Sequence, residues 1–260
     1  MSGNTTFFTE ASETQIACKA MQIELASCSY QGGRDYNEDS VHYLEQDGVC
    51  AAVVTDGLGG HGGGQIASSI VAKCLTQSFM EDPEIDEDYI RHLFDKANTL
   101  VIEEQTPSLE MKSTGVALFI DDNTAMWGHA GDSRLYHFVD GYLANQTLDH
   151  SASQLAVYSG EITVEQIRHH EDRNRVHRAF GGDDRIKAEI SSPLSLESGF
   201  HAFLLCTDGF WEYVLETEME LDLAKSETPH EWLQAMVQRI ENKALKNNDN
   251  YTAAAVFINP

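Results

Sequence analysis

Two kinds of apolar pattern succeed one another along this chain. Alternating or unbroken apolar runs in CKAMQIELASCSY (18–30), SVHYLEQ (40–46) and VCAAVVT (49–55) predict strands. QIASSIVAKCLTQSFM (65–80) predicts a helix, and 86–105 predicts a second, with Ile90, Leu93, Phe94, Ala97, Leu100 and Val101 at helical spacing. Strands follow at 114–120, 124–130 and 133–139, and Asp140-Gly141 is a hairpin turn into 142–146. Residues 151–185 are polar, with short helical pieces. Strands return at 187–191 and 201–207, helices at about 216–225 and 229–246, and YTAAAVFI (251–258) is a last strand.

This order is not regular β-α-β alternation. Strands cluster, and helices come in pairs between the clusters. The pattern predicts an α+β fold: a β-sandwich of two mostly antiparallel sheets packed face to face and flanked by helix pairs, in layers α-β-β-α. Residues 1–15 are polar and expected to be a loose N-terminal segment. Residues 16–260 are expected to form one domain, with 145–186 as a flap-like insertion over one edge.

Composition narrows the function. With 42 acidic and 17 basic residues the net charge is −25. Such a chain repels phosphate backbones and anionic lipid, so neither nucleic acid nor membrane is an expected partner. No apolar run approaches the ~20 residues that span a bilayer, and the N-terminus has no basic segment of the signal-peptide kind. Cysteines 18, 28, 50, 74 and 206 are odd in number and scattered, without C-x-x-C. That suits reduced thiols in a cytoplasm rather than disulfides or a zinc site. A monomer is expected.

The glycine-dense stretch DGLGGHGGG (56–64) contains G-x-G-x-x-G at Gly57, Gly59 and Gly62. A dinucleotide cradle needs a β-α-β unit and a helix N-terminus facing pyrophosphate. Here a helix follows the first helix, and Asp56 would set a carboxylate against the anion. Glycines serving a tight strand-to-helix turn are the better reading.

Acidic residues recur at strand ends. VVTDG (53–57) is echoed by LLCTDG (204–209), which places Asp56 and Asp208 alike. GHAGDSR (128–134) puts Asp132 after a strand, NNDNYT (247–252) puts Asp249 before one, and RDYNEDS (34–40) puts Glu38 and Asp39 before another. One Asp-Gly alone is a turn signal. Five or six carboxylates converging would repel unless cations neutralised them, and oxygen-only ligands favour Mg²⁺ or Mn²⁺ over zinc.

At this point the chain resembles the metal-dependent protein phosphatases of the PPM/PP2C family, in their bacterial serine/threonine form. The resemblance covers about residues 20–258. It rests on R-x-x-N-E-D at 34–39, D-G-x-G-G-H at 56–61, S-T-G at 113–115, G-D-S-R at 131–134, D-H-S at 149–151, T-D-G at 207–209 and D-N-x-T at 249–252, in that order. It implies two Mn²⁺ or Mg²⁺ ions, with a third in addition. Asp56 would bridge the first two. Asp208 and Asp249 would complete one shell, and Glu38 with the Gly57 carbonyl the other. Asp132 and Asp208 would hold a weaker third ion. Asp39 and Asn250 would support the ligands, and Arg34 would hold the substrate phosphate. The two ions would share a water, and the hydroxide made from it would attack phosphorus in line. Phosphorylated proteins, made by a serine/threonine kinase, would be the substrates.

One departure bears on the leaving group. Leu58 stands where eukaryotic members carry His after the first D-G, and His61 is a candidate acid three residues later. Two rivals are weaker. Cys28-Ser-Tyr-Gln-Gly-Gly-Arg34 has the C-x5-R spacing of cysteine phosphatases. That loop should open a helix, whereas DYNEDSVHYL reads as turn then strand. A non-catalytic phosphoprotein-binding domain of the same fold would have lost metal ligands, and none is lost.

Overall fold

The structure is a computed structural model that describes residues 21–59 and 62–259. The N-terminal segment, the expected start of the first strand at 18, and His61 lie outside the described residues. In chain order the elements begin with β1 (Gln22–Tyr30), β2 (Ser40–Gln46), β3 (Val49–Thr55), a short β4 (Gly57–Leu58), α1 (Gly63–Glu81) and α2 (Glu87–Glu104). Five strands follow: β5 (Lys112–Ser113), β6 (Gly115–Asp121), β7 (Thr124–Ala130), β8 (Arg134–Val139) and β9 (Tyr142–Gln146). The polar stretch then holds α3 (Ala152–Tyr158) and a 3-10 helix, Val164–His169. Last come β10 (Glu189–Ile190), β11 (Leu194–Ser195), β12 (His201–Cys206), a single-turn α4 (Asp208–Trp211), α5 (Glu216–Leu223), α6 (Pro229–Lys243) and β13 (Tyr251–Asn259).

One sheet has the order β1-β13-β12-β8-β9, the other β10-β7-β6-β3-β2 with β11 also on β7, and β4 pairs with β5. Every pairing is antiparallel. The central strands are apolar on both faces because each face has its own partner. Ala51 and Val53 of β3 face Val71, Leu75 and Phe79 of α1, in a layer that also takes Phe94 of α2. Cys50, Ala52 and Val54 face the other sheet and meet Phe203, Leu205, Ala254 and Val256. On the outer face of that sheet, Leu204, Ala253, Ala255 and Phe257 pack on Trp232, Leu233, Met236 and Ile240 of α6. These contacts make the α-β-β-α layering.

Local chemistry sets the boundaries. Asp86 caps α2, accepting from the N–H groups of Asp88 at 2.9 Å and Tyr89 at 3.1 Å. Thr228 caps α6, and Pro229 takes its first turn. Asp140 (φ 50°) and Gly141 (φ 88°) make the β8–β9 hairpin turn. Several expected elements are shorter, α5 among them, which ends at Leu223 rather than about 225. α6 ends at Lys243 rather than 246, because the chain after it turns extended to pack on the Gly32-Gly33 turn. There Gly33 N–H donates to Asn248 O at 3.0 Å, and a Cβ on Gly33 would lie 2.2 Å from Lys246 O. The strand expected at 187–191 pairs only over Glu189–Ile190.

The antiparallel registers decide where the acids fall. Cys206 pairs with Ala253 and with Arg134, so the end of β12 lies beside the starts of β13 and β8. Ser40 pairs with Thr55, so the start of β2 lies beside the end of β3. Asp208, Asp249, Asp132, Asp39 and Asp56 are each within four residues of those positions, at one end of the sandwich. No helix among the described residues is long and apolar enough to cross a membrane.

Candidate metal centre

An open cavity of about 480 Å³ at that end is walled by Glu38, Asp56, Asp132, Asp208 and Asp249. Arg34, Gly57 and Asn250 complete the set expected from the sequence. Asp39 lies just beneath, where it accepts from Thr207 Oγ1 at 2.9 Å. Asp35, Tyr36, Leu58, Gly59, Asn174 and Val176 also line the cavity. Of these, Leu58 was noted only as the residue replacing a histidine. Asn174 and Val176 come from the polar 145–186 stretch, which has no periodicity to reveal them.

Each acid is held by its backbone. Asp56 O accepts from Thr114 N–H at 2.9 Å and from Ser113 Oγ at 2.9 Å. Thr114 Oγ1 in turn lies 2.7 Å from Ser133 Oγ, beside Asp132. The S-T-G motif therefore ties two acid-bearing turns together. Asp132 O accepts from the Trp211 indole at 2.9 Å, and the Arg134 guanidinium lies 3.5 Å over the Trp211 ring. Arg134 forks onto both oxygens of Asp149 at 2.7 Å each, which accounts for the D-H-S motif as structure. Asn250 holds the other loop: its Oδ1 accepts from Glu38 N–H at 2.9 Å, and its Nδ2 donates to Gln31 O at 2.7 Å and Tyr36 O at 2.9 Å.

The glycines bring backbones together. A Cβ on Gly57 would lie 2.2 Å from Gly64 O, and one on Gly209 would lie 2.0 Å from Asn250 O. The N-terminus of α1 does face an anion, an internal one. The Glu38 carboxylate lies beside Gly64 at that terminus, and the backbone N–H groups of Gln65 and Gly64 act to lower its pKa. This occupant and the α1–α2 succession remove the dinucleotide reading.

Electrostatics follow from burial. Burial, and then Asp39, Asp208, Asp132 and Asp249, push the Asp56 carboxyl well above its ordinary range. Burial, and then Asp132 and Asp249, do the same to Asp208. Asp132 is pushed up to about 7 by burial and then Asp149. Asp39 is pushed up to about 7, mainly by burial. Glu38 is raised by burial, against its helix N–H bonds. Glu212, which the sequence did not single out, adds to the repulsion on Asp208 and Asp132. The donor set is all oxygen, and positive charge is what it lacks. Divalent hard cations therefore fit it. Among the described residues Arg34 is the cation that lines the cavity, and it donates to Asp249 Oδ2 at 2.6 Å from the rim.

Cys28 is elsewhere. It sits inside β1 opposite Ala253, its thiol is packed on the α6 side of the sheet, and burial pushes its pKa up to about 12. Arg34 lines the carboxylate cavity instead, so the C-x5-R spacing assembles no thiolate–arginine pair. A second cluster, His129, His150 and Glu189, brings possible ligand atoms within 4.8 Å of one another. The two rings stack at 4.4 Å and 9°. Their in-plane lone pairs thus run parallel and do not converge on an ion. His129 Nε2 donates to Leu148 O at 2.8 Å, and His150 Nδ1 accepts from Gly131 N–H at 3.2 Å.

A two-sheet sandwich with helix pairs outside and a buried oxygen-rich pocket at one end defines the metal-dependent phosphatase class. The comparisons agree. The family model described as Protein phosphatase 2C matches residues 29–249, and the chain belongs to that family. It is similar to protein phosphatase PhpP of Streptococcus pneumoniae, at 29% identity over 87% of this chain and 93% of that one. Serine/threonine phosphatase Stp1 from Staphylococcus aureus superposes with a TM-score of 0.80 at 26% identity, covering 93% of this chain and 97% of that one. The catalytic domain of the serine/threonine protein phosphatase PstP, solved in complex with two manganese ions, gives 0.76 at 26% identity, covering 93% and 100%. The chain is an enzyme of the protein serine/threonine phosphatase class.

Proposed function

We propose that this chain hydrolyses phosphoserine and phosphothreonine in proteins, using a water activated between two divalent cations. The observation that carries the reading is the convergence of buried Asp132 and Asp208 with half-buried Asp56, Asp249 and Glu38 in one open cavity. Asp56 would contact both cations. Asp208 and Asp249 would serve one of them, Glu38 and the Gly57 carbonyl the other, and Asp132 with Asp208 a weaker third. Mn²⁺ and Mg²⁺ both suit these ligands. When bound, the cations lower the pKa of a shared water and neutralise charge on the phosphoryl oxygens.

The chain's own groups do the positioning. Asp39 and Asn250 fix the backbones that carry the acids. Arg34 stands at the rim with free N–H groups, matched to two phosphate oxygens. The bond to Asp249 uses one terminal nitrogen of its fork. Leu58 has no proton to give the leaving alcohol. His61, three residues later in the sequence, is the candidate for that step. Phosphorylated products of a serine/threonine kinase are the expected substrates, met by a monomer in the cytoplasm.

Arg34→Ala tests the substrate side. A charge-assisted fork contributes about 1.5–3 kcal/mol, so kcat/KM on a phosphopeptide should fall roughly 10- to 150-fold. The loss should appear mainly in KM, and Arg34→Lys should recover little because it lacks the fork. An unchanged kcat/KM would mean that Arg34 does not meet the phosphate.

A further inference from the structure

The chain's cations are unevenly placed. Residues 168–187 carry six of its 17 basic residues: Arg168, Arg173, Arg175, Arg178, Arg185 and Lys187. The first three are ion-paired, with Glu216, Glu212 and Asp172. Arg178, Arg185 and Lys187 form no ion pair among the described residues, and they converge on one cavity of about 230 Å³. Its other walls include His177 and a single carboxylate residue, Asp183. In a protein of net charge −25, three unpaired cations around one cavity are a local reversal of sign.

This cavity is rigidly joined to the metal centre. Val176 lines the carboxylate pocket and bridges to Ser151, while Phe180 bridges to Ser113, next to the Thr114 that holds Asp56. Between them His177 N–H donates to His150 O at 2.7 Å. Arg178 is thus two residues along a pinned segment from the pocket wall, at most about 7 Å, the reach of two residues of extended chain. Its guanidinium also donates to Lys187 O at 3.2 Å, which keeps it at the cavity.

We propose that the Arg178–Arg185–Lys187 cavity docks an anionic group, carboxylate or phosphate, two to four residues from the phosphoresidue being hydrolysed. This rests on the phosphatase reading and names a substrate class for it: phosphoproteins with acidic or second phosphorylated residues near the target. Arg185 and Lys187 are exposed and outside the carboxylate pocket, so they act on binding of the flanking chain and not on the reacting phosphate.

The test uses three phosphothreonine peptides, with flanking alanines, flanking glutamates or a second phosphoserine. Binding to the Mn²⁺-loaded full chain is read by fluorescence anisotropy, and turnover in parallel. Solvent-exposed ion pairs are weak, so each anionic peptide should bind about three- to tenfold more tightly than the alanine peptide. The preference should shrink as salt is raised. Arg185→Glu with Lys187→Glu should abolish it while p-nitrophenyl phosphate turnover stays unchanged. Lys73→Glu with Lys225→Glu, exposed cations changed by the same charge, should leave it intact. Equal binding of the three peptides, or a preference that survives Arg185→Glu/Lys187→Glu, would overturn the docking site. A preference for only one anionic peptide would assign the cavity to carboxylate or to phosphate. Absence of turnover by the unaltered protein would instead count against the phosphatase reading, and anisotropy would still decide the docking.

Discussion

Asp56→Asn should lose at least about a thousandfold in kcat while folding normally. The substitution keeps shape and removes the charge proposed to contact both cations, which together would supply several kcal/mol of transition-state stabilisation. Its effect on stability should have the opposite sign. Burial and four neighbouring carboxylates already push the Asp56 carboxyl well above its ordinary range. A neutral amide at that place relieves repulsion, so in EDTA the variant should melt at or above the unaltered protein. Melting curves and steady-state turnover on one preparation check both halves. A variant that retains activity, or that melts far below the unaltered protein in EDTA, would show that Asp56 is a structural turn residue.

Asp132→Ala should be the next most damaging, with a loss of activity on the order of a hundred- to a thousandfold, as for other single transition-state-stabilising groups. The backbone of residue 132 should stay in place, because Trp211 grips its carbonyl and not its side chain. Excess Mn²⁺ should rescue the variant poorly, since on the proposed assignment the missing oxygens are themselves the ligands. Metal content should show the two tighter ions retained. A structural role predicts something else: lowered melting temperature with near-normal specific activity in the folded fraction. That result would remove the third-ion assignment and leave two.

The layers were legible because both periodicities are clean and each helix pair has a full apolar face. The convergence of the acids was legible from repeated Thr-Asp-Gly strand ends, since antiparallel registers carry such ends to one side. Other parts were hidden. Trp211 contacts Asp132 across 79 residues of sequence, and its aromatic character alone reads as core. Asn174 and Val176 reach the cavity from a segment without periodicity. The sequence reads the glycines before α1 as a tight strand-to-helix turn, and no local signal showed that Glu38 faces that helix N-terminus. The end of α6 was overestimated, since only tertiary contact with the Gly32-Gly33 turn draws residues 244–246 out of the helix.

The central claim is that cations held by Asp56, Asp208, Asp249 and Glu38 make the activity, and that no thiolate does. The most direct measurement is p-nitrophenyl phosphate turnover by the protein treated with EDTA, then dialysed and supplied with Mn²⁺ or Mg²⁺, beside a Cys28→Ser variant handled identically. Turnover should vanish with EDTA, return with either metal, and be nearly the same in Cys28→Ser. Full activity after EDTA together with a dead Cys28→Ser variant would contradict the account.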